Sequence, residues 1–205
     1  MRPGLVRKRR AAKVALTFDD GPSQWTHPIL DLLADHDARA TFFAVGANIP
    51  GNAGVVERAH AEGHLLGNHT TNHPDLTQLT LAEAARELAE TTLMLDAATG
   101  VTTVYWRAPY LRRPRVLSTP GLIHIGCDVV PEDWMEPDAD VICKRVLASC
   151  GHRSIVLLHD GRPPGQPAHA EGGSLDSRDQ TVAALAQLLP ALLERGFELV
   201  TVANL

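Results

Sequence analysis

Two aspartates, Asp19 and Asp20, close the apolar run in VALTFDDGPS, residues 14–23. Adjacent carboxylates repel one another and need solvent, a cation or a proton to be tolerated. Asp, Asp, Gly and Pro in succession also favour a turn, and these ten residues alone read as one. A second cluster lies in NHTTNH, residues 68–73, where His69 and His73 are four apart. On a helical turn that spacing puts both imidazoles on one side. Two such rings can bind one metal, and an Asp carboxylate would complete a facial triad with open positions for water and substrate. In a chain with ten histidines such a pair is more often structural. The Asp-Asp pair at another strand end tips the reading to a metal site.

Two aspartates beside one metal can divide the labour, one coordinating and the other taking a proton from the metal's water. The metal lowers the pKa of that water to ~7 and polarises a carbonyl. The carboxylate serves as general base if a cation holds it ionised and oriented, and Arg107 can supply that cation. A leaving group still needs a proton, for which His159, at the end of SIVLL, is the natural acid. Asp133, in PEDW, can orient His159 or Arg107. Together these groups suit hydrolysis of an unactivated bond such as an amide, in which an amine leaves.

The elements that must position these groups alternate along the chain. Short β-rich runs cover 12–18, 38–45, 64–68, 102–106, 122–129, 154–158 and 197–202, and helical patterns cover 27–36, 54–63, 81–100, 138–151 and 180–196. Continuous apolar strands alternating with helices imply a parallel sheet covered by helices. A (β/α) barrel and an open doubly wound sheet both fit, and in either the ligands meet the carboxyl ends of strands. Asp19-Asp20, His69, Arg107 and His159-Asp160 all fall just past such ends. Thr80 and Glu83 form a capping box for the third helix, Gly100 suits its left-handed C-terminal position, and Pro190 predicts a kink or interrupted turn in the last.

The 205 residues fit one α/β domain, taken as 11–205 after a basic tail at 1–10, MRPGLVRKRR. With 44% apolar and 21% charged residues the composition is that of an ordinary globular chain, and a net charge of −5 does not suit generic nucleic-acid binding. No apolar stretch suits a signal peptide or a membrane span, and three cysteines without a CxxC pair fit a reducing compartment. The expected location is the cytoplasm, an export signal hidden by a misassigned start being the alternative. Cys143 and Cys150 read as core residues, His60, His64 and His124 as structural, and His36 and His152 as surface or cap residues. Trp25 and His27 read equally as lining the opening or as packing. The Gly- and Pro-rich segment 161–179, with His169, reads as a lid or a long loop.

At this point the residues resemble a known family, the polysaccharide deacetylases with a NodB homology domain, also called carbohydrate esterase family 4. TFDDGP (17–22) looks like its first motif, which implies that Asp19 is the base and Asp20 a metal ligand. HTTNH (69–73) is similar to the second, H-[ST]-x-x-H, making His69 and His73 the other ligands. RAPY (107–110) resembles the third, in which Arg107 would orient the base and the Tyr110 amide lie near the oxyanion. DVVPEDW (128–134) resembles the fourth through Asp133 and Trp134, the latter a groove wall or a core residue. LLHD (157–160) resembles the fifth, with Leu157 lining the acetyl pocket and His159 as the acid.

The resemblance covers nearly the whole chain and implies a distorted (β/α) barrel of about seven parallel strands. The cofactor it implies is a divalent metal, zinc above all, with cobalt or another divalent ion accepted. Ala108 and Leu111 stand where Pro and Gly are common in the family, which implies a differently shaped loop after Arg107. Val130 replaces a frequent acidic residue, and His27 interrupts a usual Thr-Pro. The implied activity is metal-dependent removal of an N-acetyl group, as acetate, from an amino sugar in a small oligosaccharide or glycosylated metabolite. Two alternatives stand beside it: hydrolysis of a non-sugar C–N bond in a cyclic or specialised-metabolite amide, and a catalytically weak carbohydrate-binding protein. Nucleic acid and membrane are not expected partners, and oligomeric state is not legible.

Overall fold

The computed structural model describes residues 11–165 and 175–205. The proposed tail at 1–10 and residues 166–174 of the expected lid, His169 among them, lie outside the described residues. Seven parallel strands form the sheet: β1 (Ala12–Asp19), β2 (Thr41–Ala44), β3 (Leu65–Asn68), β4 (Tyr105–Trp106), β5 (Ile123–His124), β6 (Ser154–His159) and β7 (Phe197–Leu199). Helices cover them: α1 (Thr26–Asp35), α2 (Ala53–Ala61), α3 (Leu81–Thr99), α4 (Ala139–Ser149) and α5 (Asp179–Glu194). The strands run in the order β5-β4-β3-β2-β1-β6, and β7 pairs with the N-terminal end of β1. Past β5, an isolated parallel bridge between Val129 and Val156 brings the chain against β6. This is the distorted (β/α) barrel expected from the sequence.

Period-two alternation explains how β1 serves both the core and the site. Val14, Leu16 and Phe18 pack outward into one apolar cluster with Ile29, Leu30 and Leu33 of α1, Ile142 and Val146 of α4, and Leu185 and Leu188 of α5. Thr17 and Asp19 therefore face the other way. Register does the rest: Asp19 pairs with Phe43 of β2 and with His159 of β6, while Thr17 pairs with Leu157. Gly67 of β3 belongs to the same layer, and a Cβ there would collide with the Phe43 ring. A smaller apolar cluster under the far strands joins Leu76, Ala84, Leu88, Trp106, Ala108 and Leu117.

Several local expectations need correction. The run 122–129 is not one strand, since only Ile123–His124 pair regularly. The run 102–106 is reduced to Tyr105–Trp106. α5 passes through Pro190 without interruption, held on either side of it by Leu188, Leu189 and Leu192 in the core. Terminal chemistry on α3 matches its sequence: Thr80 and Glu83 close a capping box, and Gly100 adopts φ 72°. Cys143 and Cys150 pack in or against the main cluster. No helix among the described residues is long and apolar enough to cross a membrane.

Because Leu188 is fully buried, Leu188→Ala should cost about 2–5 kcal/mol of unfolding free energy in chemical denaturation. The same change at Leu193, which is 38% exposed on the same helix, should stay within about 0.5 kcal/mol.

Candidate active site

Arg107 follows β4 and is fully buried beneath the carboxyl ends of the strands. Its Nη1 donates to Asp19 Oδ1 at 2.8 Å and to Thr17 Oγ1 at 2.7 Å. Nη2 donates to the Gly126 carbonyl at 2.9 Å and Nε to that of Ile125 at 3.3 Å, while the guanidinium carbon lies 4.3 Å from the Phe43 ring centroid. These contacts fix Asp19 and also explain why 122–129 cannot continue as a strand. Two of its carbonyls are turned to the arginine.

Asp20 follows at φ 73°, a left-handed conformation, and both carboxylates reach the same imidazole, Asp19 Oδ2 lying 3.6 Å from His69 Nε2. Asp20 Oδ1 lies 3.4 Å from His69 Nε2 and 3.2 Å from His73 Nε2. The two histidines do not sit on a helical turn, contrary to the reading of their spacing. Residues 69–73 form a loop in which Thr70 and His73 take φ 67° and 56°. Side chains hold that loop: the Asn68 carboxamide oxygen accepts from the Thr70 amide, and Glu87 of α3 accepts from the Thr71 and Asn72 amides at 2.9 and 2.8 Å. His69 Nδ1 donates to the Arg107 carbonyl at 2.9 Å, which leaves Nε2 as its ligating nitrogen.

This trio fits a divalent ion. Donors sharing one tetrahedral ion at metal–ligand lengths near 2.0–2.1 Å stand roughly 3.3 Å apart, close to the separations of Asp20 from each imidazole. All three residues are buried, and Asp20 Oδ1 has no hydrogen-bond partner among the described residues. The electrostatics agree. Burial works to raise the Asp20 carboxyl, yet the adjoining His69 and His73 imidazoles hold it well below the usual range. Burial likewise works to lower His69, but the Asp19 and Asp20 charges raise it. The pocket thus draws positive charge, and a carboxylate with two imidazole nitrogens is a donor set suited to zinc and similar ions.

His159, at the end of β6, donates from Nδ1 to Asp133 Oδ1 at 2.8 Å, and its backbone amide donates to Asp133 Oδ2 at the same distance. Burial works against charge on the ring. The charge and hydrogen bond of Asp133, with the charges of Asp20 and Asp19, outweigh it and push the imidazole up to about 9. Asp133 thus serves His159 and not Arg107. Trp134 is half-buried with its ring 5.2 Å from that of His159, at the site's edge and not in the core. Leu157 is buried two residues before His159. Tyr110 is 53% exposed, with φ 54° and its ring 4.7 Å from His73. Leu111 beside it takes φ 57°, although it stands where glycine is common in the resembling family.

Sequence reasoning missed several supports. Asp160 is buried and accepts from the Gly21 amide and from Thr26 Oγ1 at 3.1 and 2.6 Å, so Thr26 secures the Asp19-Asp20 turn. Burial, with the charges of Asp20 and Asp19 and against the Thr26 hydrogen bond, pushes its carboxyl up to about 7. A Cβ at Gly161 would overlap the Asp20 carbonyl, so β6 and the aspartate turn approach too closely for any other residue there. Glu87 carried no signal, being one more charge on a helix. Trp25 packs across to α5 through its indole and Asp179, and His27 is exposed. His64 accepts from the Ala40 amide, His36 donates to the Leu32 carbonyl, and His152 accepts from the Lys13 amide, all away from the site.

His69→Ala and His73→Ala should each abolish tight zinc binding, measured by competition with a chelating dye. Glu87→Ala should leave the ligands intact but weaken zinc roughly 10–100-fold, because the loop presenting His69 and His73 loses its anchor. Unchanged affinity in Glu87→Ala would show that the loop holds itself.

Comparison with known proteins follows the same pattern. The family model described as polysaccharide deacetylase matches residues 7–119. A chitooligosaccharide deacetylase of Sinorhizobium fredii is 42% identical over 193 residues, 91% of this chain and 88% of that one. The peptidoglycan-N-acetylglucosamine deacetylase PgdA of Listeria monocytogenes is 33% identical over 99% of this chain and 41% of its own length. Among solved structures, the peptidoglycan deacetylase PdaC of Bacillus subtilis superposes with a TM-score of 0.83 at 29% identity, covering 95% of this chain and 90% of that one. From β1 to the loop beyond β4, and across the fold as a whole, this chain belongs to the polysaccharide deacetylase family.

Proposed function

We propose that the protein is a metal-dependent N-deacetylase that releases acetate from an N-acetylated amino sugar in a chitooligosaccharide-like substrate. The observation that carries this reading is the convergence of a base, a three-donor cation pocket and a carboxylate-backed acid at adjacent strand ends. Relatives named for chitooligosaccharide and peptidoglycan N-acetylglucosamine support the substrate class.

Asp20, His69 and His73 would hold the metal, with zinc the expected ion. Bound there, it supplies Lewis acidity, polarising a carbonyl and acidifying water. Asp19 takes a proton from the attacking water through Oδ2, since Oδ1 is engaged by Arg107. Arg107 keeps that carboxylate in one orientation. The Tyr110 amide is assigned to the oxyanion, which forms as the acetyl carbon becomes tetrahedral. His159, with Asp133 behind it, donates a proton to the sugar nitrogen as the C–N bond breaks. Amine and acetate then leave as separate products. Trp134 and Tyr110 flank this path with aromatic surface, suited to the apolar face of a pyranose ring, and Leu157 is assigned to the acetyl methyl.

Zinc-loaded protein incubated with N-acetylated chitooligosaccharides should release acetate and yield free amines by mass spectrometry. If they stay intact while a cyclic amide opens, the substrate class is wrong. Asp19→Asn should retain zinc and lose roughly 10²–10⁴-fold in kcat. The pH profile has a defined sign. His159 works protonated, so kcat should fall as pH rises through its pKa. A cation on Asp20 offsets part of the negative charge that raises the ring, placing this limb below about 9. A flat profile across that range would remove His159 as the acid.

A further inference from the structure

The carboxylate behind His159 is itself held in place, and from an unexpected direction. Asp133 is fully buried and offers only acceptors. Oδ1 receives the imidazole, while Oδ2 receives both the His159 amide and the hydroxyl of Thr181, the latter at 2.7 Å. Thr181 lies on the first turn of α5, 48 positions along the chain from Asp133, and is fully buried. In a helix a threonine hydroxyl ordinarily turns back to its own backbone. Here it is spent on a carboxylate of another element.

The neighbours of Thr181 fix the same junction. Gln180 Nε2 donates to the Asp133 carbonyl at 2.8 Å and to that of Ser177 at 3.0 Å. Arg178, 1% exposed, donates from Nε to the Gly161 carbonyl and from Nη1 to those of Leu175 and Ser177, each at 2.9 Å. The start of α5 is thereby tied to Asp133 on one side and to the residues after His159 on the other. The torsion that turns a carboxylate plane is soft, and the ring and amide of His159 alone would let Asp133 move together with the residue it has to aim. Two donors on Oδ2, from two different elements, set that plane.

We propose that Thr181 is a positioning residue for the general acid, orienting Asp133 so that one oxygen serves the His159 imidazole and the other its backbone amide. This rests on the deacetylase reading above. Without the hydroxyl the carboxylate plane is held by His159 alone and can turn with it, the imidazole loses its fixed aim, and proton delivery to the departing nitrogen slows. Attack by water, which depends on Asp19 and the cation pocket, is untouched. Thr181 therefore matters when the leaving group needs a proton and little when it does not.

The test compares two acetyl donors in the zinc-loaded protein. N-acetylated chitooligosaccharide loses an amine, which must be protonated; an aryl acetate ester loses a phenolate, which need not be. Thr181→Val should lower kcat on the oligosaccharide roughly 10–100-fold, leave KM and the aryl ester rate near the unsubstituted values, and be rescued by Thr181→Ser. In proton NMR at one fixed pH, the downfield His159 Nδ1 proton should shift and exchange faster with solvent in Thr181→Val only. A parallel loss on both substrates would mean general disruption and overturn the proposal, as would an unchanged oligosaccharide rate. If the unsubstituted protein releases no acetate from the oligosaccharide, the functional reading falls by itself. The Nδ1 resonance then decides for Thr181, and an unmoved signal in Thr181→Val rejects the positioning role.

Discussion

A guanidinium with no access to water must be satisfied where it lies, and Arg107 imposes that constraint on half the barrel. Its donors need fixed acceptors, and they find them on β1, on the segment after β5 and over the face of Phe43. Breaking such a buried pair typically costs about 3–5 kcal/mol, since the remaining charge stays stranded. The arrangement is therefore close to all-or-none. Gly67 has no side chain because Phe43 occupies the space, and Phe43 stands there to carry the guanidinium. The segment 125–126 leaves the sheet because its carbonyls are engaged. One buried cation thus dictates a strand end, a glycine and an aromatic.

Around that cation, four carboxylates of similar intrinsic acidity acquire different characters from their partners. Asp19 faces arginine, Asp20 faces two imidazoles, Asp133 backs a third imidazole, and Asp160 meets an amide and a hydroxyl. No property of the aspartate side chain distinguishes them. What differs is which element arrives beside each, and those arrivals are settled by strand register and by the turn after β1. The chemistry of the site is in this sense a property of the packing.

Much of this was legible in the chain. β1 and β6 are close to their sequence boundaries because both are long apolar runs ended by ionisable residues, and the capping of α3 is local chemistry. The site residues could be named because each follows a strand or sits in a recognisable motif. What escaped was whatever depends on a partner distant in sequence. HTTNH looks helical by spacing, but Glu87, on another element, holds its amides in a loop. LIHIGCDV looks like a strand by composition, but Arg107 claims its carbonyls. Thr26 and Thr181 carry no motif, and Asp160 stands in one without a role that its position declares. Their roles exist only after the elements have docked.

Of the eight described non-glycine residues with positive φ, six (Asp20, Thr70, His73, Tyr110, Leu111 and Glu132) lie in the loops at this end of the barrel. Such conformations cost of order 1–3 kcal/mol each, so the two ends of the fold are energetically unequal. The apolar cluster between strands and helices is what offsets that strain. Evolution at the two ends then follows different rules. Changes that relax a loop toward glycine would add stability while loosening geometry, and stabilising changes near the N-terminal ends of the strands are what would permit new loop shapes. Leu111 marks such a place: an exposed leucine in a left-handed conformation, where the backbone alone would prefer glycine.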